Sequence, residues 1–122
     1  MEKLKIDQAF KVMLPLLKTL VPPCIGEGNE VTNYAVYADN GEKKRLFAEI
    51  VMHGHVLTIQ FNQEMSKDEA KQIFSHFLLT KMNEHGRVEV REIEEEIRKD
   101  IQDAIQKLMR YFSDKGWLGK GF

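Results

Sequence analysis

The stretch from Arg87 to Leu118, RVEVREIEEEIRKDIQDAIQKLMRYFSDKGWL, decides how the rest of the chain is read, because it fits either one long amphipathic helix or two shorter ones. Apolar residues stand at Val90, Ile93, Ile97, Ile101, Ala104, Leu108 and Tyr111, in steps of three and four that fall on one side of a helix. Charged residues fill the other sides. The spacing predicts a helix from about residue 90 to residue 114. In its first half the apolar stripe is narrow, nearer to a helix-helix seam than to a broad core face. On this reading Ile97, Ile101 and Leu108 meet either the protein's own sheet or a second subunit. Trp117 and Phe122, two aromatics on the glycine-rich tail, dock on the fold or on a partner.

Upstream of this stretch, Ser66-Lys67-Asp68-Glu69 matches a capping box. Ala70, Ile73, Phe74, Phe77, Leu78 and Met82 follow at helical spacing, and Gly86 supplies a left-handed stop, so one helix is expected over residues 66–85. Residues 31–62 read as β-structure, because runs of β-branched and aromatic residues are separated by Asp39-Asn40-Gly41 and by His53-Gly54. With His53 and Gly54 as the loop residues, Met52 pairs with His55, Ile50 with Leu57, Ala48 with Ile59 and Leu46 with Phe61. The opposite face then carries Phe47, Glu49, Val51, Val56, Thr58 and Gln60, a mixture that predicts partial cover by a helix or a partner. The first hairpin has two possible registers one residue apart. Tyr34 and Val36 face the core only if the turn carries a glycine bulge.

At the start of the chain, Leu4, Ile6, Phe10, Met13, Leu14, Leu17, Leu20 and Val21 predict a helix with Asp7 as a cap. Pro15 predicts a kink or a division into two helices. Pro22 and Pro23 stop any helix, and Cys24 to Glu30, with Gly26 and Gly28, reads as a loop. The fold expected is α+β, a single domain over residues 1–122. It is a three-stranded antiparallel meander with an N-terminal helix and two C-terminal helices packed on the sheet, in the order α-βββ-α-α.

Candidate chemistry is thin. His53 and His55 bring two imidazoles near one turn, without the third ligand that zinc needs; His76 and His85 lie elsewhere, on the helix over 66–85. Cys24 follows a Pro-Pro stop with no base at hand, which suits a buried structural thiol. Gly26-Glu27-Gly28 lacks the third glycine, preceding strand and following helix of a dinucleotide fingerprint. Glu94, Glu95 and Glu96 are consecutive on a helix, point about 100° apart and cannot chelate one ion together. No cofactor is expected.

The C-terminal half supports a family resemblance. Met82-Asn83-Glu84-His85-Gly86 ends one helix and Val88-Glu89-Val90-Arg91-Glu92-Ile93 opens the next. A further helix then runs to Leu108-Met109-Arg110-Tyr111, and Gly116-Trp117-Leu118 follows. This spacing resembles that of winged-helix DNA-binding domains. The resemblance implies a middle helix, a recognition helix presenting Lys107 and Arg110 to DNA, and a wing beginning at Gly116.

Charge points elsewhere. The 122 residues carry a formal net charge of -1, with 43% hydrophobic and 30% charged residues. Neither half of the chain hides a basic domain, so long-range attraction of a polyanion is not expected. One cysteine excludes an intrachain disulfide. The N-terminal apolar run is too short to span a membrane, which suggests a cytoplasmic protein. The function expected is therefore non-enzymatic: an interaction or adaptor module with a protein partner, forming a homodimer. DNA binding and small-ligand or metal binding stand as alternatives.

Overall fold

A computed structural model describes residues 6–21, 23–91 and 95–118. It is an α+β fold in two layers. An antiparallel sheet is built from β1 (Ile25–Glu27), β2 (Asn33–Asp39), β3 (Lys44–His53), β4 (Val56–Phe61) and β5 (Arg87–Val90), neighbours in that order. The helices are α1 (Ile6–Lys18), α2 (Lys67–Ile73), α3 (His76–Lys81) and α4 (Glu95–Asp114).

The sheet has five strands where three were expected, and both additional strands have local causes. β1 pairs with β2 through Ile25↔Tyr37 and Glu27↔Ala35, inside the segment read as a loop. A Cβ on Gly26 would stand 1.9 Å from the Tyr34 hydroxyl, so the glycine that suggested a loop instead lets the tyrosine ring lie against the strand. β5 takes Val90 out of the anticipated helix and pairs Val88 with Ile59 and Val90 with Leu57. Val88 and Val90 point inward while Arg87 and Glu89 are exposed, a period of two that Val90 also allows to be counted as helical. Ile93 lies outside the described residues.

The β3–β4 turn is one residue later than anticipated. Gly54 and His55 are the loop residues, Ile50 pairs with Ile59, and Ala48 pairs with Phe61. Gly54 has φ +57, and no positive φ occurs at His55, which is the pattern of a type II′ turn with glycine in its first central position. The shift in pairing is two residues, so Ala48, Ile50, Leu57, Ile59 and Phe61 stay inward, whereas Leu46, expected inward with them, lies on the opposite face beside Tyr37 because of a bulge in β3. In the first hairpin, Asp39 pairs with Lys44 and Tyr37 with Leu46, but beyond a bulge Val36 pairs with Ala48 and Tyr34 with Ile50. The bulge lies at Phe47 in the strand rather than at the turn. It rotates Phe47 toward the core beside Ala48, and leaves Tyr34 and Val36 buried.

The region expected as one helix over 66–85 is two. The capping box forms, with Ser66 accepting from the Glu69 N–H and Glu69 accepting from the Ser66 N–H. Phe74 and Ser75 are then extended, and the Ser75 hydroxyl accepts from the Leu78 N–H to start α3. The same hydroxyl donates to Asp100 Oδ2 of α4 at 2.8 Å. Gly86, at φ +74, sits in the turn into β5 rather than at a helix end. α1 runs through Pro15, which is exposed on the outer side of the helix and does not divide it in two.

The helices cover one face of the sheet. α1 contributes Phe10, Met13 and Leu17 to the core, α2 and α3 contribute Ile73 and Leu78, and α4 contributes Ile97, Ile101, Ile105, Leu108 and Phe112. They meet the inward residues Val36, Ile50, Ile59, Phe61 and Val88. Each large apolar side chain removed from water this way contributes about 2 kcal/mol before entropy is counted. No helix among the described residues is long and apolar enough to cross a membrane.

Candidate functional site

α4 is continuous from Glu95 to Asp114. Asp100, the residue that could have capped a separate recognition helix, lies inside it and is held by Ser75. Val90, near which the middle helix of a winged-helix domain would begin, is the last residue of a strand. The chain after α4 closes in a Schellman turn: Gly116 has φ +71, its N–H donates to the Ser113 carbonyl, and the Trp117 N–H donates to the Phe112 carbonyl. The winged-helix arrangement that the spacing resembled is therefore not formed in this segment. Lys107 and Arg110 are exposed beside a groove that also contains Glu69 and Asp114, a mixed field rather than a phosphate-binding one.

The apolar stripe expected to meet either the protein's own sheet or a second subunit is internal. Ile97, Ile101 and Leu108 are all buried in the protein's own core. Ile105 and Phe112 join them and widen the stripe into a core face. Trp117 is half-buried, packed edge-on against Phe112 and Tyr111, with the Arg45 guanidinium over its ring. Its docking is intramolecular, secured by a hydrogen bond from the Asn40 side chain to the Gly116 carbonyl. Phe122 lies outside the described residues.

The histidines stay apart in role. His53 pairs with Val56 at the end of β3, His55 is in the turn, His76 opens α3 and His85 lies in the turn before β5; all four are exposed. Among the described residues no three His, Cys, Asp or Glu side chains stand close enough to hold a metal ion. Cys24 is buried, and burial pushes its thiol up to about 11. A neutral, enclosed thiol is a poor nucleophile.

Two surfaces are built differently from the rest. The first is the sheet face turned away from the helices. Pairing places Ile25, Tyr37 and Leu46 in one cross-strand row, Glu27, Ala35, Glu49, Gln60 and Arg87 in a second, and Asn33, Val51, Thr58 and Glu89 in a third. Tyr37, Leu46, Val51 and Val56 are half-buried and Ile25 is 41% exposed, yet none of them packs into the core cluster. Some of the polar neighbours on this face are tied down. Lys44 pairs with Glu27 at 2.8 Å and lies over the Tyr37 ring, while Arg87 donates to Gln60, whose amide donates to the carbonyls of Phe61 and His85.

The second surface is an open cleft of about 330 Å³ between α2, α3 and the loops that flank them. Met65, Ala70, Phe74, Leu79 and Met82 line it, with Lys67 and Lys71 on one side and Glu84 on the other. It exists because α2 and α3 separate at Ser75. The sequence pattern, which runs on as if through a single helix, does not reveal it; Ser75 as a second cap is the one local signal that could have.

Comparison with known proteins finds no family model, no curated protein and no solved structure that matches the chain.

Proposed function

We propose that the protein is a non-enzymatic interaction module that pairs with a second copy of itself through the open face of its sheet. The observation that carries this reading is the half-apolar character of that face. Antiparallel sheets commonly leave one face to water, with alternating polar residues there. Here Ile25, Tyr37, Leu46, Val51 and Val56 stand among the polar residues instead, outside the core. Covering them with the same face of another copy buries apolar area while Lys44–Glu27 and Arg87–Gln60 keep their partners, and Glu49 and Glu89 stay at water or meet a cation of the second copy.

Analytical ultracentrifugation tests the reading. The expected result is a concentration-dependent monomer–dimer equilibrium that Val51→Lys shifts to monomer with circular dichroism unchanged. Val51 is only half-buried at the middle of the sheet, so the folded monomer tolerates lysine there. A strict monomer at the highest soluble concentration would overturn it. The neutral charge and mixed field around Lys107 and Arg110 lend no comparable support to nucleic-acid binding, and the exposed His53 and His55 lend none to a metal site.

A further inference from the structure

The cleft between α2 and α3 combines two features that single out one kind of occupant. Its floor is apolar and adaptable: Met65 and Met82 are half-buried, and their unbranched thioether chains can re-pack around an inserted group, with Phe74 closing the bottom. Its two lysines lie together on the α2 side. Lys67 and Lys71 stand one helical turn apart on the same face of α2, both exposed, and neither forms an ion pair among the described residues.

The neighbouring acids are largely accounted for. Glu64 is held by Lys43 and Arg45, and Glu69 caps α2 and pairs with Lys115. Glu84, across the cleft, lies 3.4 Å from His85, and Asp68 stands exposed on α2. Two of the rim amides are engaged within the fold: Asn62 donates to the Leu46 carbonyl and accepts from the Glu64 N–H, and Asn83 accepts from the His85 and Arg87 N–H groups. Among the described residues, the polar side chains left for a visitor are the two lysines, the exposed Gln63 amide and, opposite the lysines, Glu84.

We propose that this cleft docks a peptide segment of a partner protein, an aromatic or aliphatic anchor entering between Met65 and Met82 with an acidic residue beside it on Lys67 and Lys71. The open form suits a chain that continues past the cleft on both sides, and the volume lies at the low end for ligand pockets, enough for anchor side chains. The inference uses a surface separate from the sheet face and survives if the dimer does not.

The test is selection of random phage-displayed peptides on the whole protein, followed by fluorescence anisotropy of the enriched peptide as a labelled synthetic probe. Enriched sequences are expected to pair an apolar anchor with Asp or Glu within a few residues. Met82→Glu should abolish probe binding, and the double substitution Lys67→Glu with Lys71→Glu should weaken it by about tenfold and shift selection toward Lys and Arg. Thermal melting confirms that each variant is folded. Ultracentrifugation of the same variants reads the dimer independently. No enriched consensus, a consensus without acidic residues, or binding insensitive to the cleft substitutions would overturn the proposal.

Discussion

The Arg45 guanidinium lies 4.4 Å from the centre of the Trp117 ring, while its Nε donates to Glu64 Oε2 at 2.8 Å. One side chain thus joins β3, the loop before α2 and the turn that ends α4. Trp117 is in turn 5.1 Å from Phe112, which meets Phe47 at 4.9 Å, so the stack continues from the surface to the bulge in β3. Trp117→Ala is expected to lower unfolding stability by about 2 kcal/mol, less than a fully buried tryptophan because the ring is half exposed. Urea denaturation followed by circular dichroism measures it. Arg45→Met, which keeps the stem and removes the cation, should cost about 1 kcal/mol and alter the emission of the single tryptophan.

Ser75 is the hinge between the two short helices. Its hydroxyl accepts from Leu78 N–H and donates to Asp100, so Ser75→Ala removes a cap and leaves the half-buried carboxylate without that donor. The expected loss is about 1–2 kcal/mol by urea denaturation. If the Asp100 contact matters as well as the cap, Asp100→Ala should destabilise less than Ser75→Ala, and the double variant should fall short of the sum.

The layout of helices and strands was legible where one physical requirement acted alone. The capping box, the antiparallel β-structure of residues 31–62 and the amphipathic stripe of α4 all answer to local periodicity and turn chemistry. The missed elements are those where two requirements share a residue. Val90 satisfies a period of two and a period of 3.6, so β5 was absorbed into the helix that follows it. Phe74 and Phe77 continue a helical pattern across Ser75 although the backbone extends there. Gly26 reads as a loop residue until the Tyr34 ring is placed against it, which is a contact across strands and invisible along the chain.

The candidate surfaces were less legible still. Ile97, Ile101 and Leu108 have the spacing of an interface seam, and periodicity alone does not distinguish a partner's surface from the protein's own sheet. The mixed strand face was foreseen at Glu49, Val51, Val56, Thr58 and Gln60, but Phe47 was misplaced there because a bulge changes the alternation without leaving a glycine or proline to mark it. The cleft was not visible at all, since it arises from the break at Ser75.

Glu64 makes stability depend on acid. Its carboxyl is held below the ordinary value of 4.5, first by the hydrogen bond from Lys43, with Arg45 adding and partial burial opposing. Glu69 is lowered as well, chiefly by the backbone N–H of Ser66. For a carboxyl lowered in the folded state, the unfolded chain takes up the proton first as pH falls. The stabilisation is thus present above 4.5 and lost as pH drops through the lowered folded values. Tm is expected to decline below about pH 4.5, and Glu64→Gln should melt lower than the parent near neutrality but approach it in acid. A constant gap between the two melting curves across that range would show that Glu64 contributes no proton linkage.

Cys24 should be silent until the fold opens. Its side chain is 3% exposed, its N–H donates to the Leu20 carbonyl, and burial raises the thiol from 9.0 to about 11. A thiol-specific disulfide reagent at mildly alkaline pH is expected to react slowly with native protein and rapidly in denaturing urea, because only the thiolate attacks and only the unfolded chain forms it readily. The linkage runs opposite to that of Glu64. Below 9.0 the thiol is protonated in both states and its contribution is constant; between 9.0 and about 11 the unfolded chain ionises while the folded chain does not, so this contribution falls as pH rises. Cys24→Ala removes that alkaline slope. Equal reaction rates for the native and unfolded protein would place the thiol at the surface.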